Sequence, residues 1–153
     1  MTKWSKRIAE LGIELPEVAK PIAAYVPAVK AGRVVYTSGQ LPMVNGQLMF
    51  VGQVGVGVSL EDGAACARQC ALNALAAIGS VVDINKIDQI VKVTGFISSR
   101  HDFTTHSAVM NGASDLLLEI FGDAGKHART SIGVSSLPLG APVEVELLVR
   151  LAD

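Results

Sequence analysis

The sequence predicts an α+β domain of two layers, a mixed β-sheet with two helices on one face. Three observations carry the prediction. Short β-branched runs alternate with two long helical patterns in the order β-β-β-α-β-α-β-β, which suits a sheet covered from one side. At 153 residues the chain fits a single domain, residues 1–153, with 1–19 as an amino-terminal extension bearing a short helix. Half of the residues are hydrophobic, only 18% are charged and the mean hydropathy is +0.41. Two helices cannot cover so much apolar surface, so the second sheet face is expected to meet other copies of the chain.

The elements follow in order. Residues 4–11 (WSKRIAEL) read as the short helix, closed by Gly12 and Pro16. IAAYVPAV and RVVYTSG read as two strands around a KAG turn in which Gly32 can take positive φ. Leu48–Val51, after the polar NGQ turn, reads as a third short strand. Ser59 then caps a helix from Leu60 to about Val82, with Glu61 and Asp62 in the first turn where free amides and the helix dipole favour acids. Its many alanines allow close packing. Asp88 to Ser99 is β-branched and reads as a strand. A second long helix runs from near Thr105 to Phe121, burying Ala113, Leu116, Leu117, Ile120 and Phe121, and Gly122 ends it. Strands at Ala128–Ser135 and Pro142–Leu151 finish the chain. In the last, Val143, Val145, Leu147 and Val149 share the core face, and Glu144, Glu146, Leu148 and Arg150 the other.

Several function classes drop out. Thirteen basic residues against fourteen acidic ones give a net charge of −1 and no basic face for nucleic acid. No uninterrupted apolar run reaches the ~18 residues of a membrane span, and the amino terminus lacks a signal-peptide core, so a soluble, cytoplasmic protein is expected. The glycine series GQVGVGVS lacks the Gly-Lys-Ser/Thr of a phosphate loop, and Ser59 breaks the strand-to-helix run of a dinucleotide fingerprint. Cys66 and Cys70, four apart on a helix, read as buried free thiols. No ligand spacing links them to His101, His106 or His127, so neither metal nor cofactor is expected, and the histidines read as surface or capping groups. Ser38 has no nucleophile elbow around it, and Asn73 reads as a cap for neighbouring backbone.

One residue resists a purely structural account. Arg129 opens a strand that is apolar beyond it, and an always-charged guanidinium at a buried edge needs an anion. Glu144 could be that anion, or it could be an acid–base group beside a substrate that the arginine holds. Spacing alone separates neither.

The motifs SGQLP (38–42), ART (128–130), VSSLP (134–138) and VEVE (143–146) resemble the RidA/YjgF/YER057c/UK114 family. GQVG, LEDGAACARQCALNALAAIG and NGASDLLLEIFGDAGKHAR resemble its longer branch, often labelled endoribonuclease L-PSP-like, and the likeness spans residues 20–151. The resemblance implies a chorismate-mutase-like fold, a homotrimer with clefts between subunits, and hydrolysis of reactive 2-imino acids, released by pyridoxal-phosphate enzymes, to 2-keto acids and ammonia. By the same resemblance Arg129 would clamp the substrate carboxylate and Glu144 would act on the attacking water. Tyr25 would line the cleft from a neighbouring subunit; Ser38, Gly39 and Ser131 would contact substrate, the last two through backbone. Two departures stand out: Ser131 where many members carry cysteine, and Ser107 where many carry asparagine near the start of the second helix. A carboxylate-binding regulatory trimer and, on the older label, a ribonuclease are the competing readings.

Overall fold

A computed structural model of the chain describes residues 3–18, 20 and 23–153. Helices α1 (Lys3–Glu10), α2 (Leu60–Gly79) and α3 (His106–Phe121) accompany strands β1 (Ala28–Ala31), β2 (Val34–Thr37), β3 (Met43–Val44), β4 (Gln47–Leu48), β5 (Ile87–Ser98), β6 (Ala128–Val134) and β7 (Val143–Leu151). Five strands form one sheet in the order β1-β2-β7-β5-β6, while β3 and β4 form a separate hairpin. Only β5 and β6 run parallel, joined by the crossover through α3, and every other pairing in the sheet is antiparallel. The expected two-layer mixed architecture is therefore present: α2 packs on β7 and β2, and α3 on β5 and β6.

The period-two reading of β7 holds residue by residue. Val143, Val145, Leu147 and Val149 are buried beneath the helices, whereas Glu144, Glu146 and Leu148 on the opposite face are half-buried. Ser59 caps α2 through an acceptor bond from the Asp62 amide at 3.0 Å. The α2–α3 contact is very close, because a Cβ on Gly112 would stand 1.9 Å from the Ala64 carbonyl oxygen. Small side chains at this crossing are a requirement of the packing. Asn73, buried in α2, donates to the carbonyls of Leu41 and Met43 at 2.8 and 3.1 Å and so anchors the hairpin.

The short helix expected in the amino-terminal extension is present and joins the core: Trp4 packs edge-on against Phe121 at 5.0 Å and donates its indole N–H to the Ile87 carbonyl. Two expectations need correction. The run IAAYVPAV yields only β1, since residues 23–27 join no strand, and its Ile22 lies outside the described residues. Pro27 has no amide for a ladder, and this segment is tied down by Ser38 instead, whose N–H and hydroxyl donate to the Pro27 and Val26 carbonyls. The third strand is not Leu48–Val51 but the hairpin Met43–Leu48, turning through Asn45 (φ 51°) and Gly46 (φ 78°). Two positive φ values in succession define the Asn-Gly turn that best fits the twist of paired strands.

Among the described residues nothing covers the sheet face opposite the helices. Val29, Tyr36 and Ile132 are exposed there, in register with half-buried Leu148 and Phe96. Among the described residues no helix is long and apolar enough to cross a membrane. Cys66 and Cys70 are free and buried, and burial pushes the Cys66 thiol up to about 11 and raises that of Cys70 as well.

Candidate functional site

Strand register decides which candidate residues can meet. Val93 of β5 lies opposite Arg129 on one side and Leu147 on the other, so Arg129 shares the helix face of the sheet. Phe96 lies opposite Ile132 and Glu144, so Glu144 projects from the uncovered face. Within one chain the arginine and the glutamate therefore occupy opposite faces. An internal Arg129–Glu144 pair, one of the readings left open by spacing, does not form.

Arg129 reaches from the edge strand β6 onto α3. Nη1 donates to Asn111 Oδ1 at 2.9 Å and to Ser114 Oγ at 3.1 Å, and Nη2 donates to the Ser107 carbonyl at 3.4 Å. All three acceptors are neutral, and no carboxylate pairs with the guanidinium among the described residues. The charge is held in place without being cancelled. Of its five N–H donors, the Nε proton and one on Nη2 engage nothing among the described residues. Unspent donors on a positioned guanidinium suit the oxygens of a carboxylate. Ser131, two residues along on the same face, has a buried hydroxyl oxygen without a hydrogen-bond partner among the described residues.

No local sequence signal marks Asn111 and Ser114 as partners of the arginine. They lie three apart on one helix face, a spacing that brings side chains together, but only the α3–β6 crossing aims them at Arg129. An amide does accompany the arginine, supplied by Asn111 one turn beyond Ser107. Ser107 itself contributes its carbonyl, with an exposed side chain.

The second cluster lies around the uncovered face. Tyr25, Gly39 and Glu144 line a cleft of about 340 Å³ together with Lys20, Leu41 and Leu139. Gly39 abuts the glutamate so closely that a Cβ there would stand 2.0 Å from Glu144 Oε1. Burial, and secondarily the Glu146 carboxylate, raises the pKa of Glu144 above the ordinary glutamate value. A carboxyl group so tuned moves toward the range useful for proton transfer near neutrality. Ser38, next to Gly39, spends its hydroxyl on the Val26 carbonyl at 2.6 Å. The candidate residues thus fall into two half-sites: Arg129, Ser131 and the Ser107 carbonyl on one, Tyr25, Gly39 and Glu144 on the other, with Ser38 bracing the second.

Among the described residues no group of three or more His, Cys, Asp or Glu side chains could hold a metal ion. His101 is exposed, His106 lies 3.3 Å from Ser99 Oγ, and His127 bonds the Gly125 carbonyl and Ser114.

Comparisons with known proteins agree on a family, while the names of the relatives differ. Residues 5–151 match the YjgF/chorismate-mutase-like family. Protein TCP17 of Trypanosoma cruzi is 41% identical over 146 residues, covering 94% of this chain and 91% of its own. A 2-iminobutanoate/2-iminopropanoate deaminase of Dermatophagoides farinae is 31% identical over 140 residues, covering 90% and 93%. A solved Shewanella oneidensis structure, provisionally labelled an endoribonuclease, superposes with a TM-score of 0.93 at 35% identity, covering 98% of this chain and 100% of that one.

Proposed function

The chain belongs to the RidA/YjgF/UK114 family, and on that premise we propose that it hydrolyses 2-imino acids to 2-keto acids and ammonia. The observation that carries the reading is the state of Arg129: fixed by three neutral acceptors, with two of its five N–H donors unspent among the described residues. A positioned guanidinium of this kind selects a small carboxylate.

The two half-sites lie on opposite faces of one sheet, so the complete site needs a second copy of the chain. We assign it to a homotrimer in which Arg129 of one protomer faces Tyr25, Gly39 and Glu144 of the next. The apolar uncovered face, with Val29, Tyr36 and Ile132 exposed, supports such an assembly. There the arginine would orient the substrate by its carboxylate, and Glu144 in its carboxylate form would draw a proton from water as the oxygen attacks the imine carbon. An iminium carbon is already electrophilic, so orientation supplies most of what the step requires. The free thiols fit a reducing, cytoplasmic setting.

The test generates 2-iminobutyrate and 2-iminopropionate in situ and traps the surviving imine with semicarbazide. Wild type accelerates imine loss, Arg129→Ala abolishes the acceleration, and Glu144→Gln slows it while leaving 2-ketobutyrate binding intact. A binding-only role is the second reading, favoured by the arginine half-site being complete in a chain whose Glu144 points the other way. Binding of 2-ketobutyrate with no acceleration of imine loss decides for that role and against hydrolysis.

A further inference from the structure

His127 stands immediately before β6, half-buried, with each ring nitrogen in contact with one partner. Nδ1 lies 2.6 Å from the Gly125 carbonyl oxygen, and Nε2 lies 2.9 Å from Ser114 Oγ. A carbonyl can only accept, so Nδ1 carries the ring proton; the reverse tautomer would set two lone pairs against each other at that distance. In the neutral ring Nε2 is then bare and must accept, and among the described residues the proton within its reach is that of the Ser114 hydroxyl. With its proton turned toward His127, Ser114 presents lone pairs to Arg129, whose Nη1 donates to it at 3.1 Å. Every direction in the chain is thereby fixed: Arg129 to Ser114, Ser114 to His127, His127 to Gly125.

We propose that His127 is a positioning residue for the carboxylate clamp, acting on Arg129 through Ser114. The inference rests on the reading of Arg129 as that clamp. Ser114 is buried on α3, and its hydroxyl can rotate. Without the histidine acceptor the rotor is free to point its proton at the guanidinium, which opposes the Nη1 bond and loosens the fork. Asn111 and the Ser107 carbonyl then hold the arginine alone.

The experiment has two independent arms. Nitrogen-15 NMR of the wild-type protein reads the tautomer directly, and Nδ1–H with bare Nε2 is expected. Calorimetry with 2-ketobutyrate reads the clamp. Loss of one hydrogen bond to a charged group makes Ser114→Ala about tenfold weaker. His127→Phe weakens binding by about three- to tenfold, and His127→Gln, which keeps an acceptor on the side chain, recovers most of that loss. The double variant Ser114→Ala/His127→Phe binds no more weakly than Ser114→Ala alone, because the histidine has nothing left to act through. In turnover the same factors fall on KM, with kcat nearly unchanged. Additive losses in the double variant, failure of glutamine to rescue, or a proton on Nε2 overturns the proposal even where Arg129→Ala abolishes binding. If Arg129→Ala leaves 2-ketobutyrate binding untouched, the clamp itself is wrong and this inference goes with it.

Discussion

Gly39→Ala perturbs Glu144 without touching its chemistry. The new Cβ would stand 2.0 Å from Oε1 and 2.8 Å from Cδ of Glu144. Non-bonded heavy atoms meet comfortably at roughly 3.5 Å, so the carboxylate must retreat by about 1.5 Å. Gly39 is not among the glycines with positive φ, so alanine brings no backbone strain and the whole effect falls on the side chain it meets. Forcing a half-buried glutamate off its rotamer costs about 0.5–1.5 kcal/mol of stability. If Glu144 acts as proposed, the catalytic cost is larger, since misplacing a reacting group by ~1 Å can reduce the rate by about 10²-fold. The expected outcome is a small drop in Tm with a fall of about 10- to 100-fold in kcat, measured by thermal denaturation and the semicarbazide-coupled assay. In the Glu144→Ala background, the same glycine substitution meets no carboxylate and costs little further stability. Unchanged kcat in Gly39→Ala would refute the placement of Glu144 at the reacting atoms. A full stability loss retained in the double variant would refute the contact as its cause.

Three further predictions concern pH and packing. Because the Glu144 pKa is raised in the folded chain, its stabilising contribution is present below the ordinary value of 4.5 and is lost as pH rises through the raised value. The stability difference between wild type and Glu144→Gln should follow that direction in denaturant titrations across pH 4–7, and the acid limb of kcat/KM should lie above the ordinary glutamate range and vanish in the variant. Ser59→Ala removes the acceptor of the Asp62 amide and should cost about 1 kcal/mol, read as a Tm lower by about 3 °C. Gly112→Ala drives a Cβ to 1.9 Å from backbone at the α2–α3 crossing, whereas the atoms nearest a Cβ on Gly95 belong to the Met110 side chain, with Sδ at 2.2 Å. The first should destabilise by about 3 kcal/mol or more in urea titration and the second by clearly less, because methionine can repack and a helix carbonyl cannot.

Legibility in the sequence followed the strength of local signals. Alternation along β7 marked its two faces correctly because one face is wholly buried, and Ser59 and Gly122 marked helix ends because their chemistry is local. The amino-terminal segment misled for the same reason. IAAYVPAV has strand composition, yet residues 23–27 are held by Ser38 and never enter a ladder. The Asn45-Gly46 turn carries a local signal, whereas the hairpin's first arm, Met43–Val44, is two residues long and too short to show a strand period. At the candidate site Arg129 and Glu144 were visible as chemistry, and their relation was not. Knowing that they point to opposite faces requires the register of β6 and β7 against β5, which no spacing encodes. Asn111 and Ser114 were hidden likewise, since a crossover helix carries them to the strand that needs them.

The two-faced sheet has a consequence for inheritance of damage. In the proposed assembly each chain lends its guanidinium to one seam and its carboxylate to another, so a lesion at Arg129 and a lesion at Glu144 on the same subunit silence different clefts. One faulty polypeptide among sound ones then does harm that depends on which residue failed. Two differently broken chains can still make a working cleft where their intact halves adjoin.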